Sequence, residues 1–425
     1  MNRVFNPKSV AIIGATDREN SVGLGIVKNL DNNQRDLFFI NPNYKNLFGK
    51  KSYSKIQEIE SDIDLAVIAV PKQFVEVVVD DCIIKKVKGV LVISSGFAEF
   101  DESGRELQER IALKLKKSNI YFIGPNSLGI IRPSVNLNAS FAPSNPRKGD
   151  IALISQSGGF IDSVIDSHGF SLIISVGNAA GITLEEYIAF ADKDKDTKVI
   201  ALYIEGVVDG RKFFNVLKST KKPVVAIKVG KIPQSQKAIS SHTGSLAGEY
   251  RVFSSVLTQA GVVEVDSIEE MFDVAKALAW TGLCGRGVGV VTNGGGAGIL
   301  MADYLYNAGF ELPKIKKIDN VRYAINNPLD IMGDASTIDY AQAIESVISQ
   351  KDISALIIMQ TPQMMTNSMA NAKAIVEMSK KYSKPIITVF MGNVSDAIKY
   401  LEDNNIPNYT DPKRVIKPLK SILKK

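Results

Sequence analysis

Short apolar runs alternate with longer stretches of mixed charged and apolar residues along nearly the whole chain. The first series is residues 9–15 (SVAIIGA), 36–43 (DLFFINPN), 64–71 (DLAVIAVP), 89–97 (GVLVISSGF) and 120–129 (IYFIGPNSLG). Between them, segments such as 74–86 and 104–117 carry charged and apolar residues at helical spacing. Continuous β-branched runs separated by helices of this length predict parallel strands buried on both faces. After a Pro- and Ser-rich linker at 138–149 the rhythm restarts at 150–159 (DIALISQSGG), 170–178 (FSLIISVGN), 198–206 (KVIALYIEG) and 222–230 (KPVVAIKVG). A glycine-containing stretch at 281–285 precedes a third series: 287–296 (GVGVVTNGGG), 353–362 (ISALIIMQTP) and 384–392 (KPIITVFMG). The pattern predicts an α/β chain of three doubly wound parallel-sheet domains, with boundaries near 140 and 284.

Almost every apolar run ends in Gly, Ser, Asn, Pro or Thr. In open parallel sheets ligands bind at the carboxyl ends of strands, and small residues there let backbone N–H groups and helix dipoles meet phosphates. A tight turn alone explains any one such loop, but not so many strand ends.

Composition narrows the class. The chain has 425 residues, 45% hydrophobic and 23% charged, enough for two or three cores. No apolar run has the length of a membrane span and no signal-peptide core opens the sequence, so a cytoplasmic location is expected. Only Cys82 and Cys284 are present, too few for a disulfide framework or a Cys-based zinc site. The formal charge of +6 equals the six basic residues of segment 412–425, which leaves the rest neutral. Ile416, Leu419, Ile422 and Leu423 there fall at helical spacing, which predicts an amphipathic end with a solvated basic face and not a nucleic-acid surface.

The first strand-to-helix turn, Gly14-Ala15-Thr16 through Ser21-Val22-Gly23, departs from the dinucleotide fingerprint because Thr16 stands where its second glycine belongs. The second run ends Ile40-Asn41-Pro42-Asn43, without the acid that holds a ribose about 20 residues past the glycines. The first domain also contains no histidine. A nicotinamide oxidoreductase is therefore disfavoured.

The chain has two histidines. His168 follows a segment of helical pattern and reads as a C-terminal cap or an exposed side chain. His242 lies in KAISSHTGSLAG, a run of small side chains that predicts a loop whose backbone can approach an oxyanion. A neutral imidazole there is a competent phosphoryl acceptor, although a loop histidine is by itself most often a surface residue. Glu205 is the one acid ending an apolar run of the second domain; a carboxylate there would fix an imidazole tautomer, or merely be solvated. Ser157-Gly158-Gly159 opens a helical pattern and suits an anion. The Gly294–Gly298 loop suits either close backbone approach or packing against a partner. No P-loop is present, and no paired carboxylates mark a magnesium site.

The ordered series GATDRENSVG, INPN, AVIAVPKQFV, ISSGFAE, IGPNSLGI and SHTGSLAG resembles the succinyl-CoA synthetase superfamily, and more closely its ADP-forming acetate–CoA ligase α subunits. The resemblance runs over essentially the whole chain. It implies a Rossmann-like CoA-binding domain at 1–140, a phosphohistidine-bearing flavodoxin-like domain at 141–284, and a second flavodoxin-like ligase-CoA domain at 285–425. Coenzyme A would lie across Gly14, Ala15, Thr16, Ser21, Val22, Gly23, Asn41, Pro42, Val70, Pro71, Lys72, Ser94, Ser95 and Gly96, with Asn126 near the thioester. His242 would carry phosphate, Glu205 would hold its ring, and Ser157, Gly158 and Gly159 would bind the phosphate. Asn43 replaces the family's lysine, for which Arg18, Lys45 or Lys72 would compensate, and Ser127 replaces a common cysteine. The implied reaction converts acyl-CoA, ADP and phosphate into acid, CoA and ATP through an acyl phosphate and phospho-His242. ADP, ATP and most Mg²⁺ ligands would belong to an ATP-grasp β subunit in an α2β2 assembly. The alternative is a non-catalytic CoA-binding regulatory protein of the same fold.

Overall fold

The computed structural model describes residues 1–31, 34–236, 250–316 and 324–424. It comprises two compact units, Met1–Asp266 and Ser267–Lys425.

The first unit holds two sheets. In the first, β1 (Ser9–Ile13), β2 (Asp36–Ile40), β4 (Lys50–Tyr53), β5 (Leu65–Ile68), β6 (Gly89–Val92) and β7 (Tyr121–Ile123) run parallel. A short antiparallel strand, β3 (Asn46–Leu47), joins β4 at the edge. The order β3-β4-β2-β1-β5-β6-β7 is, without that edge strand, the dinucleotide-type 3-2-1-4-5-6 arrangement. Strands β1, β5 and β6 are buried at every residue, as the uninterrupted apolar runs require. Each fully buried Val, Leu or Ile side chain there contributes about 1.5–3 kcal/mol. The helices Lys72–Lys85 and Glu102–Lys117 follow the predicted periodicity within two residues of its expected starts, and Asp101 caps the second through the Gly104 amide.

The second sheet contains β8 (Gly129–Arg132), β9 (Leu137–Ser140), β10 (Lys148–Ser155), β11 (Phe170–Ser175), β12 (Val199–Ile204), β13 (Val224–Lys228) and β14 (Val263–Glu264). From β11 the order runs β10, β12, β13, β14, all parallel, which is the flavodoxin-like 2-1-3-4-5 arrangement. Strands β8 and β9 extend this sheet antiparallel through Ile130 and Ile131 against Ile174 and Ile173. The single run at 120–129 is therefore divided between two sheets. Gly124, at φ +91°, and Gly129, at φ +129°, turn the chain between them, and the Ser127 hydroxyl donates to the Ser175 carbonyl at 2.6 Å. One apolar core joins the sheets, and Phe5 stacks on Phe190 with centroids 4.4 Å apart.

The second unit is built on the parallel sheet β16-β15-β17-β18, from β15 (Val288–Thr292), β16 (Leu329–Asp330), β17 (Ala355–Gln360) and β18 (Ile386–Phe390). The predicted amphipathic end forms a helix, Ile416–Ser421, that buries Leu419, and Ile422 just beyond it is buried as well. Its basic face is not simply solvated. Arg414 donates two bonds of 2.8 Å to the Asp273 carboxylate, and Lys417 donates to Glu270 at 2.9 Å. Both acids lie on the helix Ile268–Trp280, so the basic residues fasten the chain's end to its own unit. No described helix is long and apolar enough to cross a membrane.

Candidate functional site

Each sheet of the first unit reverses its strand order at one place, and such a switch point leaves a crevice beyond the carboxyl ends of the strands. In the first sheet β1 is flanked by β2 and β5, and the loops leaving these strands meet there. Their backbones pack without room for side chains. A Cβ on Gly14, where φ is +95°, would stand 2.3 Å from the Ala69 carbonyl oxygen, and one on Gly23 would stand 2.2 Å from the Gly14 oxygen. The Asn41 amide donates to the Ala15 carbonyl at 2.8 Å, and the Thr16 and Tyr44 hydroxyls lie 2.9 Å apart. Ser21 accepts from the Leu24 amide and caps the helix Val22–Leu30.

These loops border a cavity of about 940 Å³ that includes Gly14, Thr16, Asn41, Pro42, Val70 and Pro71. Phe74, Val77 and Val78 give it an apolar wall. Of the cations considered as substitutes for the missing lysine at Asn43, Arg18 lines this cavity and Lys45 does not; Lys55, which the sequence reading passed over, does.

A second cavity, of about 620 Å³, shares Val70 and Pro71 and continues toward the second sheet. Val22, Lys72, Ser94, Ser95 and Asn126 line it beside Ser157, Gly158, Gly159 and Glu205. Residues expected at the thioester end and residues expected to bind phosphate thus share one hollow. Asn126 has φ +58° and donates through its side chain toward Asn178 at 3.3 Å, while its amide donates to the Ser94 carbonyl. Ala15 and Gly23 are buried and line neither cavity. Ser21 and Gly96 line neither cavity; the Gly96 amide donates to the Glu99 carboxylate at 2.6 Å.

On the second sheet the switch falls between β10 and β12, so the loop Gln156–Gly159 faces the loop at Glu205. The Gln156 carboxamide joins them: its oxygen accepts from the Glu205 and Gly206 amides at 2.6 and 3.1 Å, and its nitrogen donates to the Gly206 carbonyl at 2.9 Å. From the other side the buried Lys228 ammonium donates to the Glu205 carbonyl at 2.8 Å and to the Val229 carbonyl. Burial holds the Lys228 pKa below the ordinary lysine range despite the charges of Glu205 and Glu264. Burial, with the Glu205 charge adding to it, raises the Tyr203 phenol. Phe160 stacks on Tyr203 at 4.5 Å beneath the helix Gly158–Val164, which Ser157 caps through the Phe160 amide at 3.2 Å.

His242 lies outside the described residues. His168 stands beyond the helix Gly158–Val164 with its ring edge-on to Phe170. Ser127 is buried and hydrogen-bonded, a joint between the two sheets. Gln156, Asp162 and Lys228 were missed as site residues. Asp162 was legible as the i+4 neighbour of Gly158, whereas Lys228 reads in sequence as an ordinary strand-end charge.

Comparison with known proteins follows the same division. Residues 8–133 match a family described as a CoA binding domain, residues 148–278 a succinyl-CoA ligase like flavodoxin domain, and residues 288–420 a ligase-CoA domain. These modules define a CoA-ligase type of α/β protein. The chain is 36% identical over 99% of its length to acetate–CoA ligase (ADP-forming) I of Archaeoglobus fulgidus, and it spans 63% of that relative. It is 35% identical to the α subunit of acetate–CoA ligase (ADP-forming) II of Pyrococcus furiosus, with 97% of this chain and 94% of the relative covered. A solved structure of Ca. Korarchaeum cryptofilum dinucleotide forming acetyl-coenzyme A synthetase 1, in complex with phosphate and ADP, is 33% identical, with a TM-score of 0.92 over 99% of this chain and 96% of that one. The chain belongs to the ADP-forming acetate–CoA ligase family.

Proposed function

We propose that this chain is the CoA-binding, phosphohistidine-carrying part of a nucleoside-diphosphate-forming acyl-CoA synthetase. The observation that carries the reading is the shared cavity in which Ser94, Ser95 and Asn126 meet Ser157–Gly159 and Glu205. Coenzyme A lies along the first sheet's switch point, with its thioester end reaching Asn126. Phosphate attacks the thioester carbonyl; the C–S bond breaks, leaving free CoA and an acyl phosphate. A nitrogen of His242 then takes the phosphoryl group and the carboxylic acid departs. Transfer from His242 to ADP yields ATP, and every step is reversible. Gly158 and Gly159 offer first-turn amides to the phosphoryl oxygens, and the Glu205 carboxylate holds the imidazole in one tautomer. Gln156 and Lys228 fix the Glu205 backbone so that the carboxylate is presented without reorganisation.

The nucleotide and Mg²⁺ belong mainly to an ATP-grasp partner, in an α2β2 assembly working in the cytoplasm. Support comes from the α-subunit relative, which this chain covers almost completely. The division assigns CoA to residues 1–140, His242 to 141–284 and the ligase-CoA module to 285–425, although β8 and β9, inside the first of these, pair with the second sheet. The test is to mix the chain with its partner, Mg²⁺ and ATP labelled on the γ-phosphate. Acid-labile, base-stable label is expected on this chain and absent from His242→Ala. Label that persists in the variant refutes His242 as carrier. Absence of label from the wild type, with CoA still bound, favours a regulatory protein of the same fold.

A further inference from the structure

The shared cavity contains one acid that the reaction does not use. Asp162 lies on the helix Gly158–Val164, four residues beyond Gly158, and lines the cavity together with Gly158 and Gly159. Its side chain makes no hydrogen bond or ion pair among the described residues. Although the residue is exposed at the cavity's mouth, the protein packed beside its carboxyl raises the pKa above the usual aspartate range. Its carboxylate therefore borders the hollow without a partner of its own, free to meet a ligand that carries a hydrogen-bond donor.

The same cavity, otherwise lined by polar groups such as Ser94, Asn126 and Ser157, also has apolar lining residues. Val22 and Phe141 are 41% and 38% exposed, and Leu128 and Ile93 complete the surface. A Cβ on Gly158 would stand 3.3 Å from the Leu128 Cβ, which places the start of the helix against the Asn126–Leu128 turn. Four residues of helix advance about 6 Å. An aliphatic chain covers that distance in roughly five bonds, at about 1.2 Å of extended chain per bond.

We propose that Asp162 is a specificity residue that accepts a hydrogen bond from the far end of the acyl group. The preferred acids are short aliphatic chains ending in a donor, a hydroxyl or an ammonium, and a second carboxylate is rejected by like charge. This rests on the reading of the shared cavity as the acyl site. The aliphatic segment lies on Val22, Leu128 and Phe141; the donor end meets the carboxylate; the thioester remains at Asn126.

The test is calorimetric titration of the full chain with free CoA and four stable thioether analogues of equal chain length. Their ends are an ammonium, a hydroxyl, a methyl and a carboxylate. Wild type is expected to bind the ammonium and hydroxyl analogues most tightly and the carboxylate analogue most weakly. In Asp162→Asn the ammonium analogue weakens about tenfold, the carboxylate analogue tightens about tenfold, and the methyl analogue stays within about twofold. That opposed shift is not the signature of a general loss of packing. If free CoA binds but the four analogues change in parallel, or none changes, Asp162 does not select the acyl end and the inference falls alone. If free CoA itself fails to bind, the reading of the cavity falls and takes the inference with it.

Discussion

Gly159→Ala separates the fold from the chemistry at the proposed phosphate loop. Among the described residues no atom beyond its own helix backbone and chain neighbours lies within 4 Å of where a Cβ on Gly159 would stand, and the residue occupies the second position of the helix Gly158–Val164. A methyl group therefore enters without moving a neighbour. Alanine exceeds glycine in a helix interior by up to about 1 kcal/mol, of which a first-turn position realises roughly half. For a unit of this size that corresponds to a rise in Tm of about 1–2 °C. The same methyl projects beside the amides proposed to hold the phosphoryl oxygens. Losing one charge-assisted hydrogen bond costs about 1.5–3 kcal/mol, which slows phosphorylation of His242 roughly 10- to 100-fold. Differential scanning calorimetry reads the first effect, and rapid-quench labelling with γ-labelled ATP and the partner reads the second. An unchanged labelling rate with the expected Tm would remove phosphate from the neighbourhood of Gly159. A fall in Tm would show that the space beside Gly159 is not open, and the reasoning would fail at its first step.

Gly23→Ala is the converse case, because its Cβ would meet the Gly14 oxygen at 2.2 Å and force the helix Val22–Leu30 away from the β1 loop. Overpacking of this kind costs about 1–3 kcal/mol, and CoA affinity should fall at least about tenfold as the loop amides shift; unchanged Tm and Kd by calorimetry would refute the interlocked turn. Lys228→Met retains the contact with Phe253 but leaves the Glu205 and Val229 carbonyls without their donor, for an expected loss of about 1–3 kcal/mol in urea unfolding. The Lys228 amine has a folded pKa below its unfolded value of about 10.4, so in the window between them the unfolded chain binds more protons and stability rises with pH. Wild type should therefore gain stability relative to Lys228→Met as pH climbs toward the unfolded value of about 10.4; a constant difference between the two would contradict the depressed pKa.

The sequence revealed the strand ends better than the relations among them. Buried parallel strands must be apolar on both faces, so β1, β5, β6, β10, β12, β15 and β17 stood out as unbroken runs, and the small residues closing them marked the ligand-bearing edge. The antiparallel β8–β9 pair was not read as strands: it starts at the last residue of the run 120–129 and ends in the segment read as a linker, and nothing local in Ile130-Ile131 tells which sheet receives them. Lys228 was invisible for a related reason. Its charge is tolerated because two carbonyls accept from its ammonium, and one of them, that of Glu205, comes from the loop leaving the neighbouring strand. The CoA and phosphohistidine assignments came from motif resemblance, and His242 itself falls outside the described residues. Strand order is the decisive non-local quantity. Periodicity identified Gly14, Val70, Ser157 and Glu205 as ends of strands, but only the orders 3-2-1-4-5-6 and 2-1-3-4-5 make Gly14 face Val70 and Ser157 face Glu205. Two reversals in one compact unit then make two adjoining cavities that share Val70 and Pro71, which is the arrangement that the proposed passage of CoA from the first into the second requires.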